Sequence, residues 1–301
     1  MTDIRKQTFG VEVEMVGIGN HAGADVIAKY FGTTSYYKGG YYEKWCAEDK
    51  KGRTWTCMND GSLNGHVNTE MVTPILGWDD MDDLQEVIRA LRKAGGKADS
   101  SCGVHVHVGA DEHTPATLKN LLNLVYIHYD LLEKALKFTD RKRWCKKANG
   151  LFMAEINKDR PTTAEELAEY WYGTGSSYSG VASYSGKVSS SEVYSKRHNH
   201  YDYSRYQLVN LHSFYQGKGV EFRAFNGTVH AGEIKAYVQF CCALNAKAIN
   251  VSKTSMKHQE QVVSEYWQMS DWMKTMGIKG NDPEFKTCRL HMLKNLSKER
   301  A

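Results

Sequence analysis

The chain has 301 residues, of which 41% are hydrophobic and 25% are charged, a balance typical of a globular protein with a sizeable core. Its formal net charge of +4 is too small to indicate nucleic-acid binding. The seven cysteines form no CxxC pair, and no apolar run approaches the roughly 20 residues of a membrane span. The amino terminus also lacks an apolar signal region, so we expect a soluble, cytoplasmic protein with reduced thiols and no membrane partner.

The first half of the chain alternates between strand and helix patterns. Strands are predicted at residues 8–17 and 103–108 and on both sides of the turns in the segment 53–76, which contains Asp-Gly and Asn-Gly pairs. Helices are predicted at residues 21–32, 78–96 and 115–138. The last of these has Thr114 in the capping position and Pro115 at its first position, which favours a sharp helix start.

The second half contains a compositional break and a helical end. A short helix is predicted at residues 162–173, and the Ser-, Gly- and Tyr-rich segment 173–200 is either a mobile lid or a disordered linker. Residues 206–216 and 219–227 predict a hairpin, and the part from 230 to 301 predicts helices at 231–250, 258–276 and 282–300. This pattern indicates one α+β catalytic domain over residues 1–301, with an antiparallel sheet.

Three of the strands carry charged or imidazole side chains at every second position, with apolar residues between them. These pairs are Glu12 and Glu14, His105 and His107, and Glu221 and Arg223. Alternation places each pair on one face of its strand and the apolar residues on the other. Asp60 and Glu70, from the segment between the first and second of these strands, extend the polar set.

Clustered carboxylates raise one another's pKa unless a cation lies among them. A ligand set rich in carboxylate oxygens, with one or two imidazoles, suits magnesium or manganese better than structural zinc. An arginine such as Arg223 next to divalent ions would hold phosphate oxygens.

Each feature also has an ordinary explanation when taken alone. Glu12 and Glu14 suit a solvated strand face, and Glu221 with Arg223 suits a surface ion pair that contributes little. Asp60, in NDGS, is by default a turn residue with a local hydrogen bond. Only their coincidence in one chain favours a site.

Six motifs in order support that site: FGVEVEM, NDGSL, TEMVTPIL, CGVHVHVG, RYQLVNLHSF and GVEFRAFNGT, between Phe9 and Thr228. Together they resemble the amidoligase family of the glutamine synthetase-like carboxylate–amine ligases. The resemblance implies a curved antiparallel sheet of the glutamine synthetase catalytic-domain type, with helices on its outer face. It also implies that ATP and Mg²⁺, or Mn²⁺ in its place, are cofactors.

The resemblance also implies a set of metal ligands. Glu12 and Glu14 would each ligate a different magnesium ion, and Glu70 would join Glu14. His105 would ligate the nucleotide-side ion together with Glu12 and Glu221.

The remaining site residues follow from the same resemblance. His107 would lie near the phosphates or the carboxylate substrate, and Asn210 would lie in the nucleotide site. Arg223, and with it Arg205, would neutralise the transferring phosphoryl group. Asp60 is a candidate base by position only.

The function expected from this resemblance is ATP-dependent ligation of a carboxylate to an amine through an acyl phosphate, giving an amide or isopeptide bond. The substrates would be small molecules or peptides. Two alternatives remain: a metal-dependent hydrolase in which His105 and His107 bind zinc, and a non-catalytic module that uses tyrosines and the basic stretch RKRWCKK to bind a peptide or nucleic acid.

Overall fold

A computed structural model describes residues 1–255 and 263–299 of the chain. The strands are β1 (Phe9–Val16), β2 (Ser35–Gly39), β3 (Lys44–Glu48), β4 (Thr54–Met58), β5 (Asn68–Val72), β6 (Gly103–Val108), β7 (Thr174–Gly175), β8 (Ser183–Tyr184), β9 (Val209–Asn210) and β10 (Val220–Asn226). The helices are α1 (Asn20–Phe31), α2 (Met81–Lys93), α3 (Pro115–Leu136), α4 (Gly150–Asp159), α5 (Ala164–Trp171), α6 (Ser190–His198), α7 (Leu211–Tyr215), α8 (Ala231–Asn250), α9 (Glu265–Thr275) and α10 (Lys286–Leu293).

Eight strands form one open sheet in the order β2-β3-β4-β5-β1-β6-β10-β9, and β7 pairs with β8 in a separate two-stranded sheet. The prediction of an α+β fold with a large antiparallel sheet is therefore confirmed. The closer likeness to a glutamine synthetase catalytic domain stays a prediction.

The chain divides into two compact units. The first unit comprises residues 5–106 and 225–239, and the second comprises residues 1–4, 107–224 and 240–301. The expectation of a single catalytic domain over residues 1–301 stays a prediction. Each unit is described by itself below.

The first unit contains the antiparallel strands β1 to β5, with α1 packed on β2 to β5 and α2 packed on α1. The apolar face of β1 is buried, since Val11, Val13 and Met15 are at most 1% exposed. Helix α1 approaches β4 closely at Gly23, where an added Cβ would lie 2.8 Å from the Cys57 sulfur. The helix ends at Gly32, whose φ of 73° suits glycine.

The second unit is mainly helical. Helix α3 begins as predicted, because the Thr114 hydroxyl accepts a hydrogen bond from the Thr117 backbone N–H at 3.3 Å and Pro115 takes the first helical position. The segment 173–200 contains β7, β8 and α6, and α6 starts with the Ser189 hydroxyl accepting from the Glu192 N–H at 3.3 Å. Its role as a lid stays a prediction.

Residues 206–216 were expected to form a strand, and this prediction is wrong for most of the segment. Only Val209 and Asn210 pair with β10, and α7 follows at once. The Asn210 side chain accepts hydrogen bonds from the backbone N–H groups of His212 and Ser213, so it caps the helix at the point where the strand would continue.

Other differences concern elements that the pattern did not reveal. The β2–β3 hairpin and helix α4 were not predicted. The helix predicted at 258–276 corresponds to α9, and its first residues, 258–262, lie outside the described residues. The seven cysteines are buried thiols that are not joined in disulfides. Among the described residues, no helix is long and apolar enough to cross a membrane.

Candidate functional site

Two buried carboxylates face each other in the first unit. The antiparallel register of β1 and β5 pairs Glu14 with Glu70, and these residues are 4% and 8% exposed. Residues paired in this way have side chains on the same face of the sheet, and like charges in that position destabilise the pair. A cation between the two carboxylates would remove that cost.

The His105 imidazole lies beside the carboxylates of β1. The His105 Nδ1 lies 3.0 Å from an oxygen of Glu12, and its Nε2 lies 4.0 Å from an oxygen of Glu14. The backbone N–H of Gly103 donates to the other oxygen of Glu14 at 2.5 Å. The carboxylate of Glu14 is therefore held by β6 as well as by its position on β1, which fixes its orientation.

These side chains fall into two overlapping groups. Glu12, Glu70 and His105 each offer one ligand atom within 4.8 Å of the other two, and so do Glu14, Asp60 and Glu70. Glu70 belongs to both groups. Four carboxylates and one imidazole form a donor set that suits magnesium or manganese, and two adjacent groups sharing a carboxylate suit a pair of ions.

Asp60 has a second, local role. Its Oδ1 accepts a hydrogen bond from the backbone N–H of Ser62 at 2.7 Å, as expected of a turn residue. The sequence suggested that Asp60 is a turn residue or a member of the polar set, and the structure shows contacts of both kinds. The turn holds the carboxylate in place, and the fold brings it to Glu14 and Glu70.

In the second unit, Glu221 is bound from two sides. The Asn210 amide donates to one of its oxygens at 2.6 Å, and the Arg223 guanidinium pairs with the other. All three residues are at least 94% buried. The amide oxygen of Asn210 caps α7, so this side chain links the helix start to the carboxylate and fixes the position of Glu221.

His107 lies next to Glu221, with a ring nitrogen within 4.8 Å of a carboxylate oxygen of Glu221. The His107 Nδ1 lies 3.2 Å from the Ser213 hydroxyl and 3.3 Å from the carbonyl oxygen of Lys218. A carbonyl can only accept, so this contact places a proton on Nδ1. Arg205 donates to the His200 carbonyl at 3.0 Å.

His212 shows why another imidazole of the second unit does not act as a ligand. Its Nδ1 lies 2.9 Å from the Tyr172 hydroxyl and its Nε2 lies 2.9 Å from the Gln216 amide, so both ring nitrogens are engaged. Burial lowers the pKa of His212 to about 4, and the ring is neutral near pH 7. This histidine supports the packing around α7.

Sequence reasoning missed two contributions to these clusters. The Gly103 N–H that binds Glu14 is a backbone group, and its only trace in the sequence is the glycine that opens GVHVHV. The Ser213 hydroxyl beside His107 depends on α7, which the alternation pattern did not predict. Neither contact has a signal in residue spacing.

The fold and the carboxylate groups define an α+β protein with an open antiparallel sheet and a candidate divalent-cation site. The chain belongs to the amidoligase family: the family model described as "putative amidoligase enzyme" matches residues 5–245. Membership indicates an enzyme of the ligase type. Searches of curated proteins and of solved structures give no match to the chain.

Proposed function

We propose that the protein is an ATP- and magnesium-dependent ligase that joins a carboxylate to an amine through an acyl phosphate. The observation that carries this proposal is the pairing of the buried Glu14 and Glu70, with His105 beside them, in a chain of the amidoligase family. The product is an amide or an isopeptide bond. Manganese, with similar oxygen preference, can replace magnesium.

Divalent ions bound at this site would neutralise the charge of the nucleotide phosphates and of the transferring phosphoryl group. Glu12 and His105 would hold one ion with Glu70, and Glu14 and Asp60 would hold the other with Glu70. The Gly103 N–H and the β1–β5 register hold Glu14 opposite Glu70, which supports a preorganised site.

The residues of the second unit have roles in the same reaction. The Arg223 guanidinium, which is always charged, would stabilise the negative charge that develops during phosphoryl transfer. Glu221 would act as a further metal ligand, and Asn210 positions it. Since Asn210 uses both ends of its amide on the protein, we assign it a positioning role and not direct contact with the nucleotide.

The reaction takes place in two balanced steps. The γ-phosphoryl group of ATP passes to the substrate carboxylate, which releases ADP, and the amine then attacks the acyl carbon and releases phosphate. The intermediate must be shielded from water, and segment 173–200 would do this if it closes. A proton leaves the attacking amine in the second step, and the departing phosphate would accept it, since Asp60, the base candidate by position, would hold an ion.

The proposal is tested by measuring ADP and phosphate release with pooled carboxylates and pooled amines. We expect release to require both pools, and Glu14→Gln to lower it by about 100-fold or more, because this change removes charge from the site where phosphoryl transfer is stabilised. Glu48→Gln, on the exposed end of β3, is the matched control.

Turnover that is unaffected by Glu14→Gln would contradict the proposal. Hydrolysis without ATP, dependent on tightly bound zinc, would instead show the hydrolase suggested by the two histidines of β6.

A further inference from the structure

A cationic and aromatic cluster lies in the second unit. We call it the Tyr206 cluster, and its members are Arg143, Trp144, Lys146, Arg205 and Tyr206. The Trp144 and Tyr206 rings meet edge to face with centroids 5.1 Å apart. The Lys146 ammonium and the Arg205 guanidinium each lie 5.7 Å from the Tyr206 centroid, and Arg143 lies 4.7 Å from that of Trp144.

The backbone holds Lys146 next to Tyr206. The Lys146 N–H donates to the Tyr206 carbonyl at 3.0 Å, and the Leu208 N–H donates to the Lys146 carbonyl at 3.0 Å, in a parallel bridge with Gln207. Lys146 is only 3% exposed, whereas Arg205 and Tyr206 are partly exposed. The cluster therefore combines a buried charge with groups that reach solvent.

The cations of this cluster have no acidic partners in the part of the chain that the structure describes. Within residues 1–255 and 263–299, neither Lys146 nor Arg205 nor Arg143 has a carboxylate oxygen within 4.0 Å. The neighbouring Lys147, by contrast, pairs with Asp130 at 3.1 Å. Burying an ammonium without a counter-charge costs free energy, and burial lowers the pKa of Lys146. A bound oxyanion would offset this cost.

The same ring also connects the cluster to the Glu221 network, since the Arg223 guanidinium lies 5.8 Å from the Tyr206 centroid. Arg223 already pairs with Glu221, whereas Arg205 and Lys146 pair with no acid among the described residues. The cluster has no carboxylate to hold a metal ion, so it suits an oxyanion that binds without one. A guanidinium fork and an ammonium together match the two oxygens of a carboxylate.

We propose that the Tyr206 cluster binds a second, non-reacting acidic group of the carboxylate substrate. This inference rests on the proposed ligase function and names its substrate class: a dicarboxylic acid or an acidic peptide. Lys146 and Arg205 supply the charge, and the Trp144 and Tyr206 rings form the wall of the site.

The test uses glutarate as the probe, with its neutral diamide as the matched comparison, in EDTA and without nucleotide. Binding is followed through the indole N–H signal of Trp144 in NMR spectra, which Trp144→Phe identifies. We expect glutarate to shift this signal saturably and the diamide to leave it in place. Lys146→Met and Arg205→Gln should each weaken glutarate binding about tenfold or more, because each removes a charged hydrogen-bond donor.

Lys147→Met is the control, since it removes an adjacent charge that already has an acidic partner, and binding should stay within about twofold. If Lys146→Met does not fold, the partly exposed Arg205→Gln carries the test.

Absence of a saturable shift, or unchanged affinity in the folded variants, would overturn the proposal. So would competition between metal-free ADP and glutarate, because the cluster would then serve nucleotide phosphates. No turnover is measured, so failure of this proposal and failure of the ligase proposal are distinguishable.

Discussion

Glu70→Gln removes one of the two carboxylates that face each other across β1 and β5. Donor atoms of Glu14 and Glu70 lie within 4.8 Å of each other. Two unit charges at that separation repel by about 3 kcal/mol at an effective dielectric constant of about 20. The Gly103 N–H offsets part of this repulsion. We therefore expect the metal-free variant to gain about 1 to 2 kcal/mol in free energy of unfolding.

The same substitution should abolish most of the stabilisation by divalent ions, because Glu70 belongs to both ligand groups. Wild-type protein should gain about 2.7 kcal/mol when Mg²⁺ or Mn²⁺ is present at about 100 times its Kd, and the variant much less. Urea unfolding in EDTA and in excess metal measures both effects, with Glu48→Gln as control. A metal-free variant less stable than wild type, with an undiminished response to metal, would refute this reasoning.

Three further predictions concern other parts of the chain. Asn210→Ala should lower the free energy of unfolding by about 1 to 2 kcal/mol, because α7 loses its cap. The same change should slow ADP release about tenfold, because Glu221 loses the hydrogen bond that positions it. An unchanged rate of ADP release would contradict this positioning role. Gly32→Ala should lower stability by about 1 kcal/mol in urea unfolding, since its φ of 73° disfavours a side chain; no loss would contradict the assigned backbone conformation. The hydrogen bond from Arg53 holds the pKa of Asp80 well below its usual range, so this acid contributes stability above pH 4 that is lost as the pH falls through its folded-state pKa. Asp80→Asn should therefore cost about 1 to 3 kcal/mol at pH 7 and progressively less below pH 4 in acid titrations of stability, and a pH-independent difference would contradict this.

Alternation and capping signals predicted the elements that depend on local pattern. The strands that carry Glu12, His105 and Glu221 follow a period of two, and their apolar faces are buried as expected. Helix α3 begins where Thr114 and Pro115 indicated. These features are local because a strand face or a helix cap is determined by residues within a few positions of one another.

The remaining features depend on contacts between distant segments. The pairing of Glu14 with Glu70 follows from the register of two strands whose paired residues are 52 to 60 positions apart, and no local pattern determines that register. The short α7 begins because Asn210 caps it, and the same side chain holds Glu221, which residue spacing does not reveal. The buried Lys146 belongs to the basic stretch RKRWCKK, which the sequence offered as a binding surface of the non-catalytic alternative, and nothing in that run of charges predicted its burial.

The central claim is that a carboxylate is activated by phosphoryl transfer before the amine attacks. Isotope transfer tests it most directly: the reaction is run with ATP, pooled amines and carboxylates labelled with ¹⁸O, and the released phosphate is examined by mass spectrometry. An acyl-phosphate pathway predicts one ¹⁸O atom in each phosphate, because the bridging oxygen leaves with the phosphoryl group. Phosphate without the label, released at the same rate, would contradict the ligase mechanism.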